Sequence, residues 1–262
     1  MTEPAIPRWV LLPAAAAVAF LAIPLLAMLG RVPWSRLPEL LSTPAAQDAL
    51  WLSLRTCTLT TIVCVLLGVP LALVLSRGRG RWAAAGRVLA TIPMVLPPVV
   101  AGLALLSALG RRAWLGGLLA DVGIDVAFTT TAVVIAQTFV AMPFLVVSVE
   151  GALRSTQDDY AVAAASLGAS PTTVLRRVTL PLVAPALASG AALSFARALG
   201  EFGATLTFAG SLQGTTRTLP LQIYLVREQD SDTALALAVV LMVIAAVLVA
   251  ATARFSRGVW SR

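Results

Sequence analysis

Apolar stretches of about 20 residues recur along the chain, each long enough to cross roughly 30 Å of hydrocarbon as a helix. They cover 9–30, 56–76, 88–110, 126–149, 178–208 and 233–253, separated by short segments rich in arginine, glycine and proline. A backbone in lipid has no water to satisfy its amides and carbonyls, so these stretches are predicted to be helices. A cleaved leader is the competing reading of the first, but its apolar run exceeds the roughly 7–15 residues of a leader core, and it is read as an anchor. The fifth is less uniform, because Arg197 and Glu201 interrupt it. The pattern predicts an all-α polytopic membrane protein with six transmembrane helices. Residues 1–49 hold the first helix and an external loop. Residues 50–254 hold the main transmembrane region, with spans at about 56–76, 88–110, 126–149, 182–208 and 233–253 and a cytoplasmic loop at 150–181. Residues 255–262 form a tail.

Composition strengthens that picture. Hydrophobic residues make up 59% of the chain and the mean hydropathy is +0.91, more than soluble domains carry. All 19 basic residues are arginine, with neither lysine nor histidine. Without lysine the GxxxxGK[ST] phosphate-binding loop cannot be written, so this chain does not host that ATP site. Without histidine there is no imidazole proton relay, no HExxH zinc site and no Ser-His-Asp triad, and no catalytic or metal constellation is predicted. The formal charge of +7 does not point to nucleic acid, because the arginines are scattered over short loops instead of forming one basic face. Cys57 and Cys64 lie seven residues apart, roughly 10 Å on a helix, too far for a disulfide within the chain.

The arginines also orient the spans. Arg8, the run Arg77, Arg79, Arg81 and Arg87, then Arg154, Arg176 and Arg177, then Arg254, Arg257 and Arg262 fall on one side and outnumber those on the other. The richer side is cytoplasmic by the positive-inside rule, so both termini are predicted there. Prolines punctuate the spans, and Pro93, Pro97 and Pro98 predict a bent third helix that contacts protein, since each internal proline removes a backbone donor. Ordinary kinks are the plainer reading.

The cytoplasmic loop is the most informative segment. Asp158 and Asp159 suit a helix N-terminus, the run from Tyr160 to Leu167 favours helix, and Gly168 ends it. Ser170 then caps a second helix with Pro171 at its first position. A short helix with small side chains, held below the membrane between two spans, reads as a docking element or as a plain helical hairpin.

Ala163-Ala164, Gly168 and Leu180-Pro181, at this spacing, resemble the "EAA" loop of permease subunits of binding-protein-dependent ABC importers. The likeness extends over roughly residues 50–254. Val162 stands where that motif usually has its opening glutamate, so any polar contact of that glutamate is missing or supplied by a neighbour such as Asp159. The resemblance implies the type I ABC importer transmembrane fold in the inner or plasma membrane. It implies an ATPase-coupling element made of Asp159, Tyr160, Ala161, Val162, Ala163, Ala164, Ala165, Ser166, Leu167 and Gly168. It further implies a homodimer working with two ABC ATPase subunits, which consume the ATP, and with an external substrate-binding protein. This chain itself is then no enzyme and binds no cofactor.

The segment "ARALGEFGATLTFAG" followed by "TRTLP" resembles the molybdate branch of these permeases, with sulfate and tungstate as the alternatives. A tetrahedral oxyanion is the implied substrate. Arg197 and Glu201, four residues apart, can interact on one helix face. They are expected in protein or water surroundings, since charge in lipid is costly. With Gly203 and Thr205 they are read as translocation-pathway residues, or else as a structural ion pair. A stand-alone secondary transporter is the rival from another class, but no internal repeat is visible and Glu201 is the one acid within a predicted span.

Overall fold

The computed structural model describes residues 7–155 and 159–260, with the backbone alone described at 159 and 252–260. Five described helices are long and apolar enough to cross a membrane, and a sharply bent pair makes a sixth candidate.

Helix α1 (Leu11–Gly30) buries none of its residues within the chain. After the short α2 (Leu37–Leu41), α3 runs over Pro44–Arg77. It starts well before the predicted span, with Pro44 at its first position, where the missing amide costs nothing. The early start has a packing reason: Ala46 and Ala49 lie before the predicted span and bury against Leu219 and Leu237.

The third stretch is not one crossing rod. Helices α4 (Arg81–Val95) and α5 (Pro98–Leu109) meet at 118°. Leu96, which precedes Pro97, is forced extended (ψ 132°), and Pro98 restarts the helix. The bend expected from the prolines is present, and it is a full break. Helix α6 (Trp114–Asp121) follows outside this pair.

Helix α7 (Thr130–Ser155) is the central element, with 61% of its apolar window buried. It begins four residues later than the apolar pattern implies. Val126 is buried in the cluster around Phe208 without being helical, and the Thr129 hydroxyl accepts the Ala132 amide to start the helix. Hydropathy reports burial, and here the burial is against protein.

Beyond α7 come α8 (Asp159–Ser166) and α9 (Pro171–Val174), then a wide π turn over Leu175–Thr179 that leads into α10 (Leu180–Leu199). Helix α10 stops at Leu199, and a separate α11 (Gly203–Ala209) takes over. The fifth stretch is therefore broken at Gly200–Phe202. Helices α12 (Leu219–Val226) and α13 (Ser231–Trp260) close the chain.

The start of α13 is held by Asp230, whose carboxylate accepts the Thr233 amide (3.0 Å) and hydroxyl (2.5 Å). The Thr233 hydroxyl, then its amide, hold the Asp230 carboxyl below the usual carboxylate range. A depressed pKa stabilises above the unfolded-state value, near 4, and the gain disappears as pH falls through the folded value. Asp230→Asn keeps an accepting oxygen at the cap but removes the charge at the positive end of α13, and is expected to loosen its first turn by about 0.3–1 kcal/mol. Faster hydrogen exchange at Thr233 at neutral pH, converging on wild type under acid, is the readout.

Candidate translocation site and docking helix

Two places in this architecture carry unusual chemistry. The first is the break between α10 and α11. Glu201 lies just past the end of α10 and is 1% exposed, yet both its oxygens are engaged. One is 2.6 Å from an Nη of Arg197, and the other accepts the Ala204 amide at 2.8 Å. A carboxylate at the start of α11 also meets the positive end of that short helix. Arg197 keeps 28% of its side chain open. A guanidinium has five N–H donors in a fixed fork, and one carboxylate oxygen cannot occupy them all.

The broken end of α10 is satisfied from α7. Gln137, 1% exposed, donates from Nε2 to the Ala198 carbonyl (3.2 Å), while its Oε1 accepts the Thr60 hydroxyl (3.1 Å). Ser194 adds a bond to the Ala141 carbonyl at 3.0 Å. Breaking a helix leaves carbonyls without partners, and Gln137 supplies one for Ala198, while the Ser194 bond fastens α10 to α7.

The break is also packed shut against the other broken span. A Cβ on Gly203 would come within 2.8 Å of Pro98 Cβ, so the first residues of α5 and α11 touch almost backbone to backbone. Thr205 is fully buried, and its hydroxyl has no hydrogen-bond partner among the described residues. Of the four residues read from sequence as pathway, the structure joins Arg197 to Glu201. It places Gly203 and Thr205 inside helix packing, and leaves only the Arg197 guanidinium partly open. Gln137 and Thr60 belong to the same construction and were not picked out from sequence, while Pro98 was read there only as part of the bend. A polar glutamine amid an otherwise apolar stretch is the signal that pointed to one of them.

The second place is α8. Gly168 takes φ +83°, a left-handed conformation that a Cβ disfavours. Its amide bonds to Ala165 O and the Ala169 amide to Ala164 O, which closes the helix end. Ser170 Oγ then accepts the Thr173 amide, capping α9 as its sequence predicts. The outward face of this hairpin is apolar: Tyr160 is 65% exposed, Val162 60% and Leu167 90%. Ala163, Ala165, Ser166 and Gly168 are exposed as well, while Ala161 and Ala164 are half-buried. The Asp159 side chain lies outside the described residues, as does Asp158. Tyr160, Val162 and Leu167 are apolar side chains left open on a short hairpin, and exposed apolar residues of this kind are available to an interaction surface.

A bundle of apolar helices, broken at a charged pair and carrying an apolar hairpin beyond its end, defines a membrane permease component. The chain belongs to the family of binding-protein-dependent transport system inner membrane components, which it matches over residues 65–261. It is 57% identical over 244 residues to the molybdenum transport system permease protein ModB of Mycobacterium tuberculosis, covering 93% of this chain and 92% of that one. It is 39% identical to a probable molybdenum ABC transporter permease protein of Haloferax volcanii, covering 84% and 81%. The sulfate transport system permease protein CysT of Salmonella typhimurium is 33% identical, covering 87% and 83%. Among solved structures, a bacterial alginate ABC transporter in complex with a pentasaccharide-bound periplasmic protein has a chain that superposes with a TM-score of 0.75. That match is 17% identical and covers 95% of this chain and 93% of that chain. The MetNI methionine ABC transporter gives 0.60 at 19% identity, covering 80% and 94%. These last two likenesses describe the fold.

Proposed function

We propose that the chain is the permease subunit of an ATP-driven importer that carries a tetrahedral oxyanion, molybdate first, across the inner membrane. The observation that carries this reading is the projecting apolar face of α8, for which a transporter working alone has no use. Likeness supports the substrate: the molybdenum permeases share more of the sequence than the sulfate permease does. Both chain ends and α8 lie on the cytoplasmic side. Two copies of the chain form the conduit, each α8 seats in one of two ATPase subunits that consume the ATP, and this chain binds no cofactor. Residues 31–50, 111–125 and 210–232 face outward and receive the substrate-binding protein.

In this mechanism, closure of the ATPase subunits moves α8 and with it the cytoplasmic end of α7. Arg197 presents its open N–H groups to the passing dianion. Glu201 competes for the same guanidinium, so the anion is held weakly enough to leave, as conduction requires. Glu201 meanwhile caps α11, which keeps the break in place when the anion is gone.

The test is ATP hydrolysis and anion uptake by the reconstituted complex with binding protein and molybdate, tungstate or sulfate. Stimulation is expected to be largest with molybdate, and flux indifferent to nucleotide overturns the reading. For the pair, Arg197→Lys retains charge but not the fork and is expected to lower uptake about tenfold, the order of one lost charged hydrogen bond. A double substitution, Arg197→Gln with Glu201→Gln, removes both buried charges together and is expected to assemble while uptake stays lost. Recovered uptake in that double variant assigns the pair a purely structural role.

A further inference from the structure

Helix α4, the inner half of the bent span, is fastened weakly along most of its length. Ala83 is its one buried residue, and Val88, Leu89, Ile92 and Val95 are exposed. Its attachment to the bundle is made by small residues and by Arg87. Gly86 approaches Leu75 so closely that a Cβ would lie 2.9 Å from Leu75 Cδ2. Arg87 then does two things with one side chain. Its Nε donates to Glu150 Oε1 on α7 at 2.6 Å, and an Nη donates to the Leu75 and Gly78 carbonyls at 2.6 and 3.1 Å, closing the C-terminal end of α3. Glu150 is 12% exposed and also receives Arg154 at 3.1 Å from the next turn of α7.

Position makes this junction more than an anchor. Glu150 precedes α8 by nine residues, on the helix that carries the docking hairpin. Arg87 is on the helix that leads to the Leu96–Pro97 bend, and beyond the bend Pro98 is in contact with Gly203 beside the Arg197–Glu201 pair. Packing joins α7 to α4 and α5 to α11, and the Leu96–Pro97 bend joins α4 to α5 along the chain, so the helix that precedes α8 in sequence is linked to the charged break. Among the described residues, Arg87–Glu150 is the charged link between α4 and α7. Contiguity alone does not demonstrate coupling, and a bond shared by three helix ends is where two rigid arrangements can be exchanged.

We infer that Arg87 and Glu150 form the transmission joint of this permease: positioning residues that make the bent third span follow the ATPase-driven movement of α7. This rests on the docking reading of α8. The joint touches neither ATP nor anion, and works by keeping α4 registered on α3 and α7 through the cycle. Arginine is suited to it because a planar fork serves a carboxylate and two carbonyls at once, which a lysine ammonium does not reproduce.

The experiment compares Glu150→Gln, Arg87→Lys and the double variant in the complete complex, reconstituted with binding protein and molybdate. Each is expected to purify with the ATPase subunit in wild-type proportion and to keep its basal ATP hydrolysis. Stimulation of hydrolysis by loaded binding protein, and uptake with it, is expected to fall by about fivefold or more, the lower range of coupling between sites. Because both changes sever one link, the double variant is expected to be no worse than the weaker single one. Wild-type stimulation in both single variants overturns the inference, and so do additive losses or equal loss of basal and stimulated hydrolysis. Loss of the ATPase subunit from Glu150→Gln also overturns it, by placing Glu150 in docking. If Leu167→Glu leaves the ATPase subunit bound, the docking reading has failed on its own.

Discussion

Gly102→Ala is expected to abolish uptake and to lower the thermal stability of the purified permease. A Cβ at this point of α5 would lie 2.6 Å from Thr207 Cβ, 2.9 Å from the Ala204 carbonyl oxygen and 3.0 Å from Ala204 Cα. Two of these three neighbours are backbone, so no rotamer change relieves the contact, and α5 and α11 must separate. Overpacking of this kind costs about 1–3 kcal/mol or more. The separation would also part Pro98 from Gly203 and disturb the capped start of α11, where Glu201 binds the Ala204 amide. Small residues at such crossings are what allow helices in lipid to approach closely. Gly151→Ala is the control. Nothing lies within 4 Å of a Cβ there, and removing a helical glycine is expected to leave the unfolding midpoint unchanged or raised, by up to about 1 kcal/mol. Equal midpoints for the two variants would contradict the close approach of the two broken spans.

Leu167→Glu is expected to strip the ATPase subunit from the complex while leaving the permease itself intact. Leu167 is 90% exposed, and exposed substitutions stay within about 0.5 kcal/mol of wild type in stability. An apolar anchor at the centre of an interface is worth about 2 kcal/mol or more, roughly thirtyfold in affinity, and a buried carboxylate without a partner costs further. Co-purification measures the first effect and the thermal unfolding midpoint the second. Ala164, also in α8, is a poorer probe: it is half-buried, so a large residue there would disturb the hairpin as well as the proposed interface. A complex that keeps its ATPase subunit through Leu167→Glu would leave the exposed apolar face of α8 without its assigned occupant.

Much of the α8–α9 hairpin was legible in the sequence, because its signals are local. Gly168 in a left-handed turn, Ser170 capping and Pro171 opening a helix each act within a few residues, and the structure shows all three. The bend at Pro97 was legible for the same reason, though its 118° angle was not. Other boundaries moved where tertiary contacts competed with hydropathy. The apolar residues before Thr130 bury in an irregular turn against Phe208, so the fourth helix starts late. The fifth stretch reads as one apolar run, yet the structure breaks it at Gly200–Phe202.

The amino-acid order by itself determined the solvent of this protein, its helical class and the small helix between α7 and α10. Hydrophobicity, proline and capping operate on neighbouring residues, and a backbone in lipid has few alternatives to helix. Only the tertiary structure decided which distant residues meet: Gln137 reaches a carbonyl 61 positions away at the charged break, and Arg87 a carboxylate 63 positions away on α7. Those pairings follow from crossing angles and from the places where two backbones can touch, and no periodicity along one segment encodes either.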